Sequence, residues 1–147
     1  LAGLKYTTNV LKETLRLVPI VPLLARTAVQ SDRIGDMQVS AGCHIALDIW
    51  GAHHDAKYWG DNTHEFVPER FEEDYPVKPH AFSYLPFSLG PRNCLGQNFV
   101  FMEAKLVLLM LMSKFKFERL DSQFLLMDRF DIPMHPRNGM RMKITTL

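Results

Sequence analysis

The sequence predicts an α+β fold, and three patterns within its 147 residues carry that reading. Leu4, Leu11, Leu15 and Val18 recur near the 3.6-residue helical period, Ile45, Leu47 and Ile49 alternate with His44, Ala46 and Asp48, and residues 97–112 are apolar almost all round. The first pattern predicts an amphipathic helix over 4–18, ended by Pro19, and Pro22 keeps the following link extended because a residue before proline is pushed out of helical torsions. Residues 23–29 read as a strand. A turn at Gly35-Asp36, a short strand over 37–39, a turn at Ala41-Gly42 and the alternating strand at 45–49 complete one small antiparallel sheet. Residues 55–60 admit one helical turn. Residues 66–91 hold five of the nine prolines and no period, and an irregular stretch of that length inside a compact domain is usually functional. The apolar run predicts a buried helix over 97–112, and the alternating segments 114–119 and 140–144 read as two strands able to pair.

Composition bounds the function. The chain is 47% hydrophobic and 22% charged with a formal net charge of +1, which is a globular composition and excludes intrinsic disorder. A compact unit of this size buries about 68–70% of the surface its unfolded chain exposes. Near-balanced charge without a Lys/Arg cluster argues against a nucleic-acid partner. Cys43 and Cys94 are too few for a disulfide scaffold and lack metal-finger spacing, so a reducing compartment is the default. The longest apolar run, 106–112, is far below the ~20 residues a bilayer span requires. The opening Leu1-Ala2-Gly3 has no initiating Met and no signal-peptide layout, and is read as part of a longer chain.

Cys94 stands in Pro86-Phe87-Ser88-Leu89-Gly90-Pro91-Arg92-Asn93-Cys94-Leu95-Gly96, immediately before the apolar helix. Unpaired N–H groups and the positive dipole end of a helix stabilise a thiolate there, which suits a metal ligand or a nucleophile. Gly90 and Gly96 permit positive φ or the close approach of a flat ligand, and Arg92 can pair with a carboxylate. Together these residues describe a pocket for an anionic, planar cofactor.

The sequence resembles the cytochrome P-450 family of haem-thiolate enzymes. Phe87, Gly90, Arg92, Cys94 and Gly96 complete the family's F-x-x-G-x-R-x-C-x-G loop, and E-x-x-R occurs as Glu13-Thr14-Leu15-Arg16 and P-E-R-F as Pro68-Glu69-Arg70-Phe71, in the family's order. The resemblance implies that residues 1–147 are the C-terminal haem-binding portion of one P-450 domain of mainly α architecture, running from helix K through the haem loop and helix L to terminal strands. It implies haem b (iron protoporphyrin IX) with Cys94 as catalytic residue and proximal axial ligand, whose electron donation favours O–O cleavage. It further implies Arg92 and Arg26 on the propionates, Phe87 beside the thiolate, and Glu13, Arg16 and Arg70 as a buried network. Substrate contacts are expected at 19–24 and 130–134.

The activity implied is a monooxygenase placing one oxygen atom of dioxygen into an apolar small molecule, with NADPH electrons delivered by cytochrome P-450 reductase. The wording around the loop and helix resembles microsomal members, which implies the cytoplasmic face of the endoplasmic reticulum membrane, held by an N-terminal anchor that this chain does not contain. The family's oxygen-binding helix, with its acid–alcohol pair, is also expected upstream. Two alternatives stand beside this activity: a haem-thiolate isomerase or dehydratase that does not use dioxygen, and a non-catalytic truncation without haem.

Other residues receive plainer readings. Cys43 is read as structural. His53-His54, adjacent on an extended chain, point opposite ways and make a poor metal site, and His53 is read as hydrogen-bonded scaffold because the family often carries a His there. Met102, Met110 and Met112 are read as core filling. Lys114, Lys116 and Arg119 are read as a solvated strand face. Val100 stands where many family members have Ala.

Overall fold

The computed structural model describes residues 3–120, 127–128 and 133–147. Helix α1 spans Lys5–Leu17, and its last turn gives way at Val18, before Pro19. Strand β1 (Leu23–Thr27) pairs antiparallel with β4 (His44–Asp48) in the register Ala25↔Ala46, while β2 (Asp32–Ile34) and β3 (Met37–Val39) form a separate hairpin closed through Gly35 at φ 57°. The expected single sheet is therefore two ladders. The peptide N–H groups of Ile49 and Trp50 both donate to the carbonyl of Pro22, which turns the chain out of β4 as it begins a helix.

That helix, α2 (Ile49–His54), replaces the extended chain expected around His53 and His54, and it takes Ile49 out of the strand. The Asp48 side chain accepts from the Gly51 N–H and caps it, and Asp55 caps the one-turn α3 (Ala56–Trp59) in the same way through Lys57. Residues 60–96 carry only short 3₁₀ turns at Pro68–Phe71 and Gly90–Arg92, in keeping with the irregular reading. Helix α4 spans Gln97–Met112 and leads into β5 (Phe115–Arg119). Short strands β6 (Met127–Asp128) and β7 (His135–Pro136) pair with each other, and β5 pairs with β8 (Met142–Thr146) with Phe117 opposite Ile144, as the alternation predicts.

Burial departs from expectation in two places. In α1 the fully covered side is the polar row Asn9, Glu13 and Arg16, while Leu4, Leu11, Leu15 and Val18 are only half-buried. In α4 no residue is buried. Phe101, Ala104, Lys105 and Leu108 form a half-covered stripe at helical spacing, while Phe99, Met102, Leu106, Leu109 and Met110 lie open. The methionines at 102, 110 and 112 are thus surface residues rather than core filling. The reason is that an apolar helix is buried only if other elements cover every side, and α4 is covered on one. With 10873 Å² accessible, the 17.0 kDa chain buries about 56% of its unfolded surface, below the range for a compact monomer. Among the described residues no helix is long and apolar enough to cross a membrane.

Candidate functional site

The best-ordered chemistry lies under α1. Glu13 and Arg16 are three residues apart on one helical face and both have no solvent exposure. Arg16 Nε donates to Glu13 Oε2 at 2.7 Å and its Nη2 to Oε1 at 2.8 Å, a two-pronged pair. The rest of the guanidinium donates to the carbonyls of His53, Thr63 and Glu65 at 2.9, 2.7 and 3.0 Å, and its plane lies over the Trp59 ring. Arg70 enters from the 3₁₀ turn Pro68–Phe71, with Nε 3.2 Å from Glu13 Oε1 and Nη1 2.7 Å from the Trp59 carbonyl. Its Nη2 reaches the carbonyl and side chain of Asn62. Glu13 Oε1 also accepts from the Val67 N–H at 2.9 Å. No buried side-chain nitrogen or oxygen among the described residues is left without a partner. The structure thus brings Glu13, Arg16 and Arg70 together, and the backbone from 53 to 67 wraps them.

Beside this frame lie the buried His53 and the half-buried Tyr84, whose rings stack at 5.4 Å. Desolvation pushes the His53 imidazole down to about 4, with the Arg16 carbonyl bond opposing and the charges of His54 and Arg16 adding to the fall. Burial, then the Glu13 charge, raises the Tyr84 phenol. Tyr84 donates to the Lys12 carbonyl at 3.0 Å and packs on Trp59 and Phe71. The two histidines lie on a helix, yet His53 serves as the hydrogen-bonded scaffold expected of it. Nothing in residue spacing foretells Tyr84 or the carbonyls that receive the arginines, because a backbone acceptor carries no residue signature.

The cysteine loop follows directly. The Cys94 N–H donates to the Phe87 carbonyl at 2.8 Å and the Asn93 N–H to the Gly90 carbonyl at 3.1 Å, which closes residues 87–94 on themselves. Gly90 adopts φ 79° and Ser88, a rarer case for a residue with a side chain, φ 64°. Gly96 is ordinary at φ −84°, and a Cβ there would make only an ordinary contact, 3.9 Å from Cys94 Sγ. The Cys94 thiol is free and exposed, two residues before the Gly96 cap of α4. The Phe87 ring is 5.7 Å from that of Phe101, tying the loop to α4. Arg92 and Leu95 are exposed.

Two expectations find different surroundings. Arg26 projects from β1 with its Nη1 on the Ala25 carbonyl at 2.9 Å, and among the described residues no hydrogen bond or ion pair joins it to the cysteine loop. Cys43 is exposed at the turn entering β4, its Sγ 3.7 Å from the His44 carbonyl, and so supports no packing role, since a turn that faces solvent leaves a thiol nothing to pack against. The two segments expected to contact substrate do meet, the Met134 N–H donating to the Ile20 carbonyl at 2.7 Å, although 130–132 fall outside the described residues.

The loop's chemistry suits a metal that arrives with ligands of its own. Among the described residues no group of three or more His, Cys, Asp or Glu side chains could hold a bare ion. Cys94 offers one soft donor. Open space above Gly90 and the bare apolar side of α4 would accept a flat hydrophobic body, and the exposed Arg92 side chain makes no hydrogen bond or ion pair among the described residues. These features fit a haem.

The family model described as cytochrome P450 matches residues 1–141. The chain is 38% identical over 144 residues to cytochrome P450 4V2 of Mus musculus, which covers 98% of this chain and 27% of the relative. It is 41% identical over 118 residues to the cytokinin hydroxylase of Arabidopsis thaliana, with 80% and 22% covered, and 44% identical over 116 residues to cytochrome P450 72A397 of Kalopanax septemlobus, with 78% and 22% covered. The chain spans about a quarter of the length of these relatives. With its family's loop, helix and mixed α and β elements in place, the chain belongs to the cytochrome P450 family.

Proposed function

We propose that these residues are the C-terminal haem-binding portion of a cytochrome P450 monooxygenase, which inserts one oxygen atom into an apolar small molecule with NADPH electrons passed through a reductase. The observation that carries this reading is the closed 87–94 loop, which presents one exposed thiol ahead of an exposed apolar helix. Haem, when bound, would supply an iron whose reactivity toward oxygen is tuned by the donor that the protein offers it. Cys94 is that donor. Arg92 and Arg26 pair with the propionates, Phe87 shields the sulfur, and Gly90 and Gly96 keep the loop low enough for a flat group to lie over it. Glu13, Arg16 and Arg70 hold the segments that lead into the loop. The name of the Arabidopsis relative, a hydroxylase, supports oxygen insertion as the type of reaction. Attachment to the endoplasmic reticulum membrane belongs to the same reading and requires an anchor outside residues 1–147.

The test is the absorption spectrum of the reduced, carbon-monoxide-bound full-length protein. A thiolate-shifted Soret band that disappears in Cys94→Ser is expected. A featureless wild-type spectrum overturns the haem reading. Turnover of an organic hydroperoxide or an oxime without reductase or dioxygen replaces the monooxygenase with an isomerase or dehydratase.

A further inference from the structure

One buried side chain joins the ionic frame to the cysteine loop. His53 has no solvent exposure, and its Nδ1 lies 3.2 Å from the Arg16 carbonyl while its Nε2 lies 2.8 Å from the Leu85 amide nitrogen. A carbonyl only accepts and an amide N–H only donates, so these partners assign the tautomer: the proton sits on Nδ1 and Nε2 is a bare acceptor. The path continues without a gap. The Leu85 carbonyl accepts from the Ser88 N–H at 3.1 Å, and the Phe87 carbonyl between them accepts from the Cys94 N–H at 2.8 Å. Ser88, held at φ 64°, stays in that uncommon conformation only if its neighbours impose it. Tyr84, which precedes Leu85, is also fastened to α1, its hydroxyl donating to the Lys12 carbonyl.

We propose that His53, as its neutral Nδ1–H tautomer, is a positioning residue that sets where Cys94 presents its sulfur, acting through Leu85 and the 85–88 turn. This rests on the reading of Cys94 as the thiolate donor. An imidazole is suited to the task because one rigid ring donates at one edge and accepts at the other. Asparagine keeps a donor near Nδ1 and stops short of Leu85. Glutamine places an oxygen near Nε2 and so keeps the acceptor.

The test compares His53→Asn and His53→Gln in the full-length protein. In the reduced, carbon-monoxide-bound spectrum, His53→Asn is expected to lower the ratio of thiolate-ligated to other haem about ten-fold, the size of effect seen when an outer partner of a metal ligand is removed. Its Leu85 amide should exchange hydrogen faster, and His53→Gln should restore most of both signals. Variants that both match the wild type, or an Asn variant that equals or exceeds Gln, overturn the positioning role. Cys94→Ser separates the two proposals: if it keeps the thiolate band, the donor assignment fails first and the role of His53 with it. If neither variant folds, exchange in the wild type decides. A Leu85 amide as protected as that of Val67, which is bonded to Glu13, supports the link, and exchange at the rate of an exposed loop amide overturns it.

Discussion

Around Arg16 the chain buries charge and satisfies all of it; around Cys94 it exposes apolar surface and covers little of it. The two regions lie far apart in sequence and share the His53–Leu85 bond, yet they are stabilised by opposite means. Glu13, Arg16 and Arg70 are held by bonds that the chain supplies itself, mostly to backbone carbonyls between 53 and 65. The loop and α4 have their own backbone bonds and little else, and Leu95 is fully exposed. The frame is therefore a finished piece of structure, sensitive to any missing partner. The loop side is a surface whose energetics depend on what lies against it.

The largest effect should therefore come from the frame. Glu13→Ala strands two guanidinium groups in a site with no access to water and leaves the Val67 N–H unpaired. Removing one partner of a buried ion pair destabilises by about 3–5 kcal/mol, most of it from the charge left behind. Denaturant unfolding should show that loss, together with failure to incorporate haem. A folded variant with full haem occupancy would remove Glu13 from its structural role.

Acid should act on the same region next. His53 titrates at about 4 in the folded chain, below the ordinary histidine value of 6.5, so folding favours its neutral form. Above pH 6.5 that preference is complete. As pH falls from 6.5 to about 4, the unfolded chain takes up a proton that the folded chain refuses, and stability is lost; below about 4 both states are protonated and the loss stops. The full window is worth about 3 kcal/mol. His53→Gln should flatten the slope of stability against pH in that window, and an unchanged slope would assign the acid sensitivity to another group.

How much of this contrast is legible in the sequence follows from what each region is made of. The loop is legible because its pattern consists of residue types at fixed spacing: a thiol, an arginine and two glycines within ten positions. The frame is half legible. Glu13 and Arg16 meet by helical spacing, whereas Arg70 is 57 residues from Glu13 and only the family pattern points to it. The carbonyls of His53, Thr63 and Glu65 could have come from any residues. Helix α2 is missed because six residues are too short to establish a period, although Asp48 three residues before Gly51 is a cap signal. The burial of α4 is misjudged because apolarity states what a surface prefers, and cover depends on other segments.

Within the loop, two glycines differ from each other on a smaller energy scale. Gly90→Ala meets no atom within 4 Å but must hold φ 79°, which costs about 1–2 kcal/mol for a residue with a Cβ. Gly96→Ala faces no torsional penalty and places its methyl in ordinary contact with Cys94 Sγ. Thermal unfolding should separate the two, with Gly90→Ala lower in Tm and Gly96→Ala near the wild type. Equal losses would mean that the loop is governed by packing rather than by backbone conformation.

The smallest effect should come from the open side of α4. Leu106 and Met110 are four residues apart on its exposed surface, and replacing both with glutamine removes no buried contact. Leucine, methionine and glutamine have similar helix propensities, so the backbone is indifferent to the change. Stability of the 147-residue chain should then move by no more than about 0.5 kcal/mol, the usual range for surface substitutions. Binding of an apolar dye should fall, since the substitution removes two of the side chains that make this side hydrophobic. A loss of several kcal/mol that scales with protein concentration would reverse the comparison, because it would show that copies of the chain cover α4 in one another and that this region, like the frame, is already buried.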